Sequence, residues 1–443
     1  MTDSTVQQAA PASHPSGKLA FKIFLWILAL AVLSAVWLFV LASFAPAKFE
    51  FSSASAILMA CTPPVLLTFL GWTGTKILSA PRTLPTAAPS VDVSAAPPEP
   101  PMPVARFRIG AWSALTPHGN VIETVAGTKA RTKAFKPDKA IPLPSGYPAH
   151  AGIIDSLDLA AMGHIARTRL RAPRVMTMLC AILDELHAQQ IALADSIPGP
   201  ATVYWLAPPA LMAGDGAPSP LFDGAWQRSA WRGEAYLLHM IPVADASTFA
   251  VLSGLQDGID QSSIPYTIII AADSLLDREE LASALALGHV FSSTAPQGFI
   301  PAEGAGGILL FNPNKTSDEL WANAAILGPV KAAGRDIDHK GMSGILSATV
   351  TAAGKSADDI GMVVSDSDHR AQGSMAVIDA MSHVLAGLDP MEQRLSPMEY
   401  AGAFGAATDL VSLALAVELA TGQSVLALST CNGQCAAVVV SPA

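Results

Sequence analysis

The sequence predicts a layered α/β domain that follows two membrane-spanning helices. Three observations support this fold class: two long apolar runs near the N-terminus, a proline-rich segment after them, and alternating strand-like and helix-like segments in the rest of the chain. Such alternation is typical of sheets that helices cover on both faces. A chain of 443 residues, of which 51% are hydrophobic and 14% charged, is long enough to bury a sizeable core.

The first apolar run predicts a membrane helix. After a flexible start at 1–18, residues 19–45 are nearly all apolar and long enough to cross a bilayer. A cleaved signal peptide fits less well, because the run is too long and no clear small-x-small cleavage site comes before the next apolar run. The second run, 55–80, contains Pro63 and Pro64 near its centre. Two interpretations stay open for it, a kinked second span and a re-entrant segment.

Basic residues around these runs predict the orientation in the membrane. Lys18 and Lys22 lie at the first entry and Lys76 and Arg82 at the second exit, whereas the connecting loop holds only Lys48. The positive-inside rule therefore predicts that both termini and the soluble domain are cytoplasmic. We expect a multi-pass protein of the inner (cytoplasmic) membrane.

The segment that follows is a predicted spacer. Residues 81–104 contain eight prolines interleaved with Ala, Ser and Thr. This composition favours an extended, semi-rigid structure and cannot bury a core. The soluble domain is therefore expected to span 105–443.

Hydrophobic periodicity predicts the main elements of this domain. Apolar residues at helical spacing follow Pro173, which suits a first helical turn. The stretch from 120 to 148 is polar and is predicted to form loops. The predicted helices are 173–190, 245–257 and 278–287, and the predicted strands are 106–115, 201–206, 266–271 and 308–311.

Composition argues against several functional classes. The net charge is -10 and no basic cluster with interleaved aromatic residues occurs, so nucleic acid is not an expected partner. The four cysteines, Cys61, Cys180, Cys431 and Cys435, are too few and too scattered for a disulfide framework, which fits a reducing cytoplasm. No cofactor is predicted.

The most informative motif lies at residues 298–307. Its small residues predict a tight turn around one acidic side chain, Glu303, followed by a buried strand. Gly304 and Gly306 would be structural residues of that turn. They do not follow a strand and open a helix, so a nucleotide-binding loop is not predicted there.

Several segments, taken in order, resemble the β-ketoacyl synthase branch of the thiolase superfamily. The resemblance covers about 106–443 and implies a thiolase-like layered α/β fold. It also implies a homodimer, with Thr267–Ala271 as the pairing strand. The segments that carry it are Arg108–Gly119, Ile268–Ser274, Gly298–Phe311, Gly405–Val411, Ser424–Ser429 and Ala437–Ser441.

The same resemblance implies that the catalytic residues are missing. The family uses a nucleophilic cysteine at the start of the helix before the Ile268 strand, and the corresponding segment around 240–245 contains no cysteine. Asp366 replaces the first histidine of the family, and Gly402 replaces the second. Glu303 is the acidic residue that matches. The resemblance therefore implies a catalytically inactive domain, since such residues act as a unit.

Two remaining clusters give weak candidates for chemistry. Cys431 falls near the family's gating phenylalanine, and His369 lies three residues after the first histidine position, so a rearranged thiol–imidazole pair is conceivable. The acidic residues around His369, namely Asp358, Asp359, Asp366 and Asp368, have no recognised metal-ligand spacing and are interpreted as a solvated loop. No metal site is predicted.

Three functional hypotheses follow. The favoured one is a membrane-anchored, inactive ketosynthase-like protein that binds protein partners as a scaffold or adaptor. Inactive proteins of this kind serve as accessory factors in bacterial type VI secretion, so the resemblance points to secretion-apparatus or effector partners. The alternatives are an acyl-group enzyme with a rearranged site and a module that binds an acyl group without chemistry.

Overall fold

The computed structural model describes most of the soluble domain. The described residues are 107–165, 168–193, 200–212, 220–243, 247–258, 264–315, 324–333, 339–430 and 435–442. They belong to one compact unit, Glu99–Ala443. The segments predicted at 1–18, 19–45, 55–80 and 81–104 lie outside them. No helix within the described ranges has the length and apolar character needed to cross a membrane.

Helices and strands alternate along most of this unit, as predicted. The strands are β1 Arg108–Leu115, β2 Phe135–Pro142, β3 Pro148–Gly152, β4 Ala201–Ala207, β5 Tyr236–Pro242, β6 Tyr266–Ser274, β7 Glu303–Phe311, β8 Ala325–Leu327, β9 Lys331–Ala333, β10 Ile360–Ser365, β11 Arg394–Leu395, β12 Ser424–Ser429 and β13 Cys435–Ser441. The helices are α1 Val121–Lys129, α2 Arg171–Leu193, α3 Pro220–Arg228, α4 Thr248–Asp257, α5 Arg278–Ala286, α6 His339–Ala352, α7 Ala371–Val384, α8 Met398–Ala401 and α9 Thr408–Leu419.

One mixed sheet connects nearly all the strands. Its order is β11-β10-β12-β13-β8-β1-β7-β6-β4-β5, and β9 pairs with β13 beside this path. The β4–β5, β4–β6, β10–β11 and β10–β12 pairs are parallel, whereas β6–β7, β1–β7 and β12–β13 are antiparallel. The hairpin β2–β3 forms a separate small sheet.

Helices cover both faces of the central strand β7. A Cβ added at Gly306 would lie 2.7 Å from the backbone of Leu410 in α9, whereas one at Gly307 would lie 2.6 Å from Ile182 in α2. Because neighbouring residues of a strand point to opposite faces, α9 and α2 lie on opposite sides of the sheet. Every residue of β6 and β7 is buried, and so is α9 from Thr408 to Val417. The α9 helix is therefore an interior layer, which explains why it has no polar face.

The predicted turn at 298–307 is wrong in its second half. The strand β7 already begins at Glu303, so Gly304 and Gly306 are extended residues within a strand. Their role is to let other elements approach closely, since a Cβ at Gly304 would lie 3.0 Å from the ring of Phe404. A run of small residues has the same appearance in a turn and in a tightly packed strand.

The loops predicted between 120 and 148 are also partly wrong. Helix α1 begins there with a reciprocal cap: the Asn120 side chain accepts from the Glu123 N–H, and the Glu123 carboxylate accepts from the Asn120 N–H. An acceptor residue followed three positions later by Glu is a recognised helix-start signal, which the polar composition obscured.

The expectation that Thr267–Ala271 pairs across a dimer is wrong. Thr267–Ala271 lies inside β6, which is hydrogen-bonded to β4 on one side and to β7 on the other. A strand with both edges occupied cannot accept a strand from a second chain. The outermost strand at this end of the sheet is β5.

Candidate functional site

The positions that the resemblance assigns to the catalytic residues of the family lie at the ends of several strands and helices. Asp366 follows β10, Thr430 follows β12, and Glu303 opens β7. Gly402 follows the short helix α8, in a segment that hydrogen-bonds to the residues just before β7: the Ala403 N–H donates to Ile300 and the Ala302 N–H donates to Ala403. The fold therefore brings these sequence-distant positions to one region.

Glu303 is fully buried and bonded on both carboxylate oxygens. Arg174 of α2 donates to both oxygens in a bidentate pair, and the side chain of Arg174 is only 3% exposed. The backbone N–H of Ile154 donates to Oε1 at 2.7 Å, and the hydroxyl of Ser274 donates to Oε2 at 3.2 Å. This one carboxylate joins β7, α2, the end of β6 and the chain after β3.

Asp366, which the resemblance assigns to the first histidine position, is 3% exposed. Its Oδ2 accepts the backbone N–H of Thr430 at 2.6 Å, and its Oδ1 accepts the Thr430 hydroxyl at 2.8 Å. The hydroxyl of Ser429 lies 3.4 Å from Asp366 Oδ2 but donates more closely to Asp409, at 2.6 Å. The Asp366 carboxylate thus fastens the end of β12 to the end of β10.

Gly402, which the resemblance assigns to the second histidine position, has no room for a side chain. Its φ is +93°, in the region that favours glycine. An added Cβ would lie 2.8 Å from the Cβ of Ala302 and 2.9 Å from the carbonyl oxygen of Ile300. An imidazole at this position would need both the backbone and the wall of the site to move.

A third buried carboxylate, Asp273, which the sequence reasoning missed, organises the segment after Gly402. Asp273 Oδ2 accepts the N–H of Ala406 at 2.9 Å, and its Oδ1 lies 3.1 Å from Nε of Arg171. Burial raises the pKa of Asp273, an effect that the nearby Arg171 charge opposes. Gly405 has a φ of +54°, and a Cβ there would lie 2.1 Å from Asp273 Oδ2. Asp273 therefore acts as a structural anchor.

Of the candidate pair Cys431 and His369, the structure describes only His369. Cys431 lies outside the described residues. The His369 ring packs edge-on against Phe291 with 5.1 Å between centroids, and its Nε2 is buried without a hydrogen-bond partner. The neighbouring Arg370 pairs with Asp368 at 2.7 Å.

The interpretation of the acidic cluster as a solvated loop is wrong for half of its members. Asp358 and Asp359 are exposed, but Asp366 and Asp368 are 3% and 6% exposed. The two buried carboxylates bind Thr430 and Arg370, which are partners that compensate for lost hydration. Among the described residues, no group of three or more His, Cys, Asp or Glu side chains could hold a metal ion.

The helix at the nucleophile position starts later than expected. Strand β5 continues to Pro242, and α4 begins at Thr248 with the Ser247 hydroxyl accepting the Ala250 N–H. Residues 244–246 lie outside the described ranges, and no cysteine occurs between 243 and 247.

The described ranges contain two thiols, and both are buried: Cys180 lies in α2 and Cys435 lies in β13. Burial, with a contribution from Asp184, raises the pKa of Cys180 to about 11. Burial, with a contribution from Asp366, raises the pKa of Cys435 to about 12. Both thiols stay protonated at neutral pH, and a protonated thiol is a poor nucleophile.

Arg174 is the most important residue that sequence reasoning missed. It lies within the predicted helix 173–190, next to the apolar residues Val175 and Met178 that line the core. A charge at the edge of an apolar stripe is a signal for a buried ion pair, because such a charge needs a partner. Its partner, 129 residues away, could not be identified from spacing.

Several solved structures of ketosynthases are similar to this fold. The ishigamide ketosynthase/chain length factor matches with a TM-score of 0.52 at 16% identity, covering 76% of this chain and 99% of that one. A type II polyketide ketosynthase, solved with its acyl-carrier protein and bound to a hexaketide, matches with a TM-score of 0.58 at 14% identity. The match covers 77% of this chain and 100% of that one. A β-ketoacyl synthase from Burkholderia phymatum STM815 matches with a TM-score of 0.55 at 12% identity. The match covers 76% of this chain and 100% of that one.

Comparisons of sequence are silent. No protein-family model and no curated protein matches the chain. Structural similarity at such low identity establishes the fold alone. The chain has the thiolase-like α/β fold of the β-ketoacyl synthases.

Removing the buried carboxylate should strongly destabilise the protein. We expect Glu303→Ala to lower the free energy of unfolding by about 3–5 kcal/mol, because it leaves the Arg174 guanidinium buried and unpaired. Chemical denaturation of the full-length protein measures this change. In the double variant Arg174→Met/Glu303→Leu, which removes both charges, we expect much of the lost stability to return.

A surface ion pair supplies the matched control. Lys136 and Asp155 form a 2.7 Å pair with side chains 59% and 70% exposed. We expect Asp155→Ala to change the unfolding free energy by less than about 1 kcal/mol. If Glu303→Ala costs no more than Asp155→Ala, Glu303 does not anchor this site.

Proposed function

We propose that this chain is a membrane-anchored, catalytically inactive ketosynthase-like protein that acts as a scaffold or adaptor for other proteins. The proposal combines the ketosynthase fold with the residues at the positions where that family does its chemistry. Large α/β scaffolds are readily reused, so the fold alone does not decide between enzyme and binding protein.

The observation that carries the proposal is the packing at Gly402 and Asp366. Gly402 has a left-handed backbone, and a Cβ added there would lie 2.8 Å from the Cβ of Ala302, so this position favours glycine. Asp366 holds a carboxylate whose two oxygens both accept hydrogen bonds from Thr430. Neither position offers an imidazole that could stabilise an oxyanion or move a proton.

Anchoring in the membrane is the second part of the proposal. It rests on the apolar runs 19–45 and 55–80 and on the basic residues around them. The proline-rich spacer 81–104 would hold the domain away from the cytoplasmic face of the inner membrane. Type VI secretion is the setting we propose, with secretion-apparatus or effector proteins as partners.

One observation favours a second candidate function, an acyl-group enzyme or acyl-binding protein with a rearranged site. The buried Nε2 of His369 has no hydrogen-bond partner among the described residues, so it has a proton or a lone pair to offer. Thr430, immediately before Cys431, is tied to Asp366. A thiol within hydrogen-bond range of this imidazole would provide a nucleophile and its base.

We also propose that the protein is a homodimer that pairs through β5. This strand ends the described sheet and is hydrogen-bonded to β4 alone. Leu237 on it is 54% exposed. An unprotected apolar edge strand is a template for pairing with a second chain.

The dimer is tested by placing a charge on this edge. We expect Leu237→Glu to convert the detergent-solubilised full-length protein from dimer to monomer, measured by light scattering during size-exclusion chromatography. Leu287→Glu, on a leucine that is 69% exposed outside the sheet, should leave the dimer intact. A monomeric wild-type protein, or a Leu237→Glu variant that stays dimeric, would contradict pairing through β5.

The adaptor function is tested by affinity purification of the solubilised full-length protein from its native host, followed by mass spectrometry. We expect secretion-apparatus or effector proteins in amounts close to that of the bait. A control bait carrying residues 1–104 alone should not retain them, because we assign binding to the soluble domain. Recovery of acyl carrier protein or lipid-synthesis enzymes instead would favour the acyl-group alternative.

A further inference from the structure

A polar pocket lies between the end of α1 and the segment from β11 to α8. Its volume is about 250 Å³, far more than the about 30 Å³ that one water occupies in the liquid. Its walls include Thr128, Lys129, Arg131, Arg394 and Tyr400. Three of these five side chains are cationic.

The negative charges around this pocket are already neutralised. Glu392 pairs with Arg131 at 2.8 Å, and Glu399 pairs with Arg394 at 2.8 Å. The carbonyls at the end of α1 are occupied as well, since Thr128 accepts from Arg131 and Ala126 accepts from Ala130. Lys129 has no ion-pair partner among the described residues, which leaves the pocket with an excess of one positive charge.

Two buried polar atoms in the residues of this wall lack partners. They are Nε of Arg394, whose side chain is 8% exposed, and Oγ1 of Thr128, which is 3% exposed as a residue. A buried donor without an acceptor is costly, and such groups are uncommon in folded proteins. Both atoms belong to residues that line the pocket, so a ligand that bound there would bring acceptors close to them.

The backbone at the rim of the pocket is strained. Arg131 has a φ of +55° and is the one non-glycine residue with positive φ in the described part of the chain. Its guanidinium donates to the carbonyl of Met391 at 2.7 Å, across the pocket from α1. The positive φ belongs to the cap that ends α1, in which the Arg131 N–H donates to Thr128 and the Thr132 N–H donates to Gly127.

We propose that this pocket binds a phosphoryl group, as inorganic phosphate or as a phosphate monoester. The terminal nitrogens of Arg394 are already engaged by Ser367, Ser396 and Glu399, so its bidentate face is not free for a carboxylate. The donors that remain on the residues of the wall are Arg394 Nε, Thr128 Oγ1 and Lys129 Nζ. The three terminal oxygens of a phosphoryl group suit such a set.

The proposal is tested by isothermal titration of the full-length protein with orthophosphate at constant ionic strength. We expect saturable binding that Lys129→Gln weakens about tenfold, the loss of one charge-assisted hydrogen bond. Lys139→Gln, on an exposed lysine of β2, is the matched control and should bind as wild type does. A second arm titrates a short-chain phosphatidic acid, and tighter binding there would identify a lipid headgroup as the source of the phosphoryl group.

A second variant separates binding from stability. Thr128→Val replaces the unpartnered hydroxyl with a methyl group, so without phosphate the melting temperature should stay the same or rise. With phosphate present, the stabilisation seen in wild type should shrink in this variant. Absence of saturable binding in both arms, or equal binding by wild type, Lys129→Gln and Thr128→Val, would overturn the proposal.

Discussion

The buried ion pair of Arg174 and Glu303 joins the parts of this fold that must meet for its centre to form. The guanidinium comes from α2, the carboxylate opens β7, and the same carboxylate takes the Ile154 N–H and the Ser274 hydroxyl. Both side chains are removed from water, so each depends on the other. A buried pair adds less net stability than its geometry suggests, but it admits very few alternative arrangements of the elements it connects.

Two further buried carboxylates hold the region next to this pair. Asp273 fixes the turn at Gly405 and Ala406, and Asp366 fixes the end of β12 through Thr430. Charged groups buried in this way are usual at the active sites of enzymes, where they tune reactive residues. Here both carboxylates bind backbone N–H groups, which is a structural use, and this supports the proposal of a scaffold.

Local sequence patterns predicted the strongly periodic elements and failed where tertiary packing decides. The helix at 173–190 was confirmed as α2, because its apolar spacing is long and regular. Gly304 and Gly306 were predicted to form a turn, but glycine is needed there because Phe404 and Leu410 pack closely against them. These two residues lie about a hundred positions later in the chain, so the local pattern could not indicate the contact. The burial of Asp366 was unpredictable for the same reason, since its partner is Thr430.

The central claim, that the ketosynthase chemistry is absent, is tested most directly by intact-protein mass spectrometry after incubation with an acyl-coenzyme A thioester. An active ketosynthase run in parallel should gain the mass of one acyl group, because acyl transfer to a cysteine is the first step of its reaction. The account predicts that this protein keeps its unmodified mass. An acyl adduct that forms on wild type and disappears in Cys431→Ala would contradict it and would establish the rearranged site.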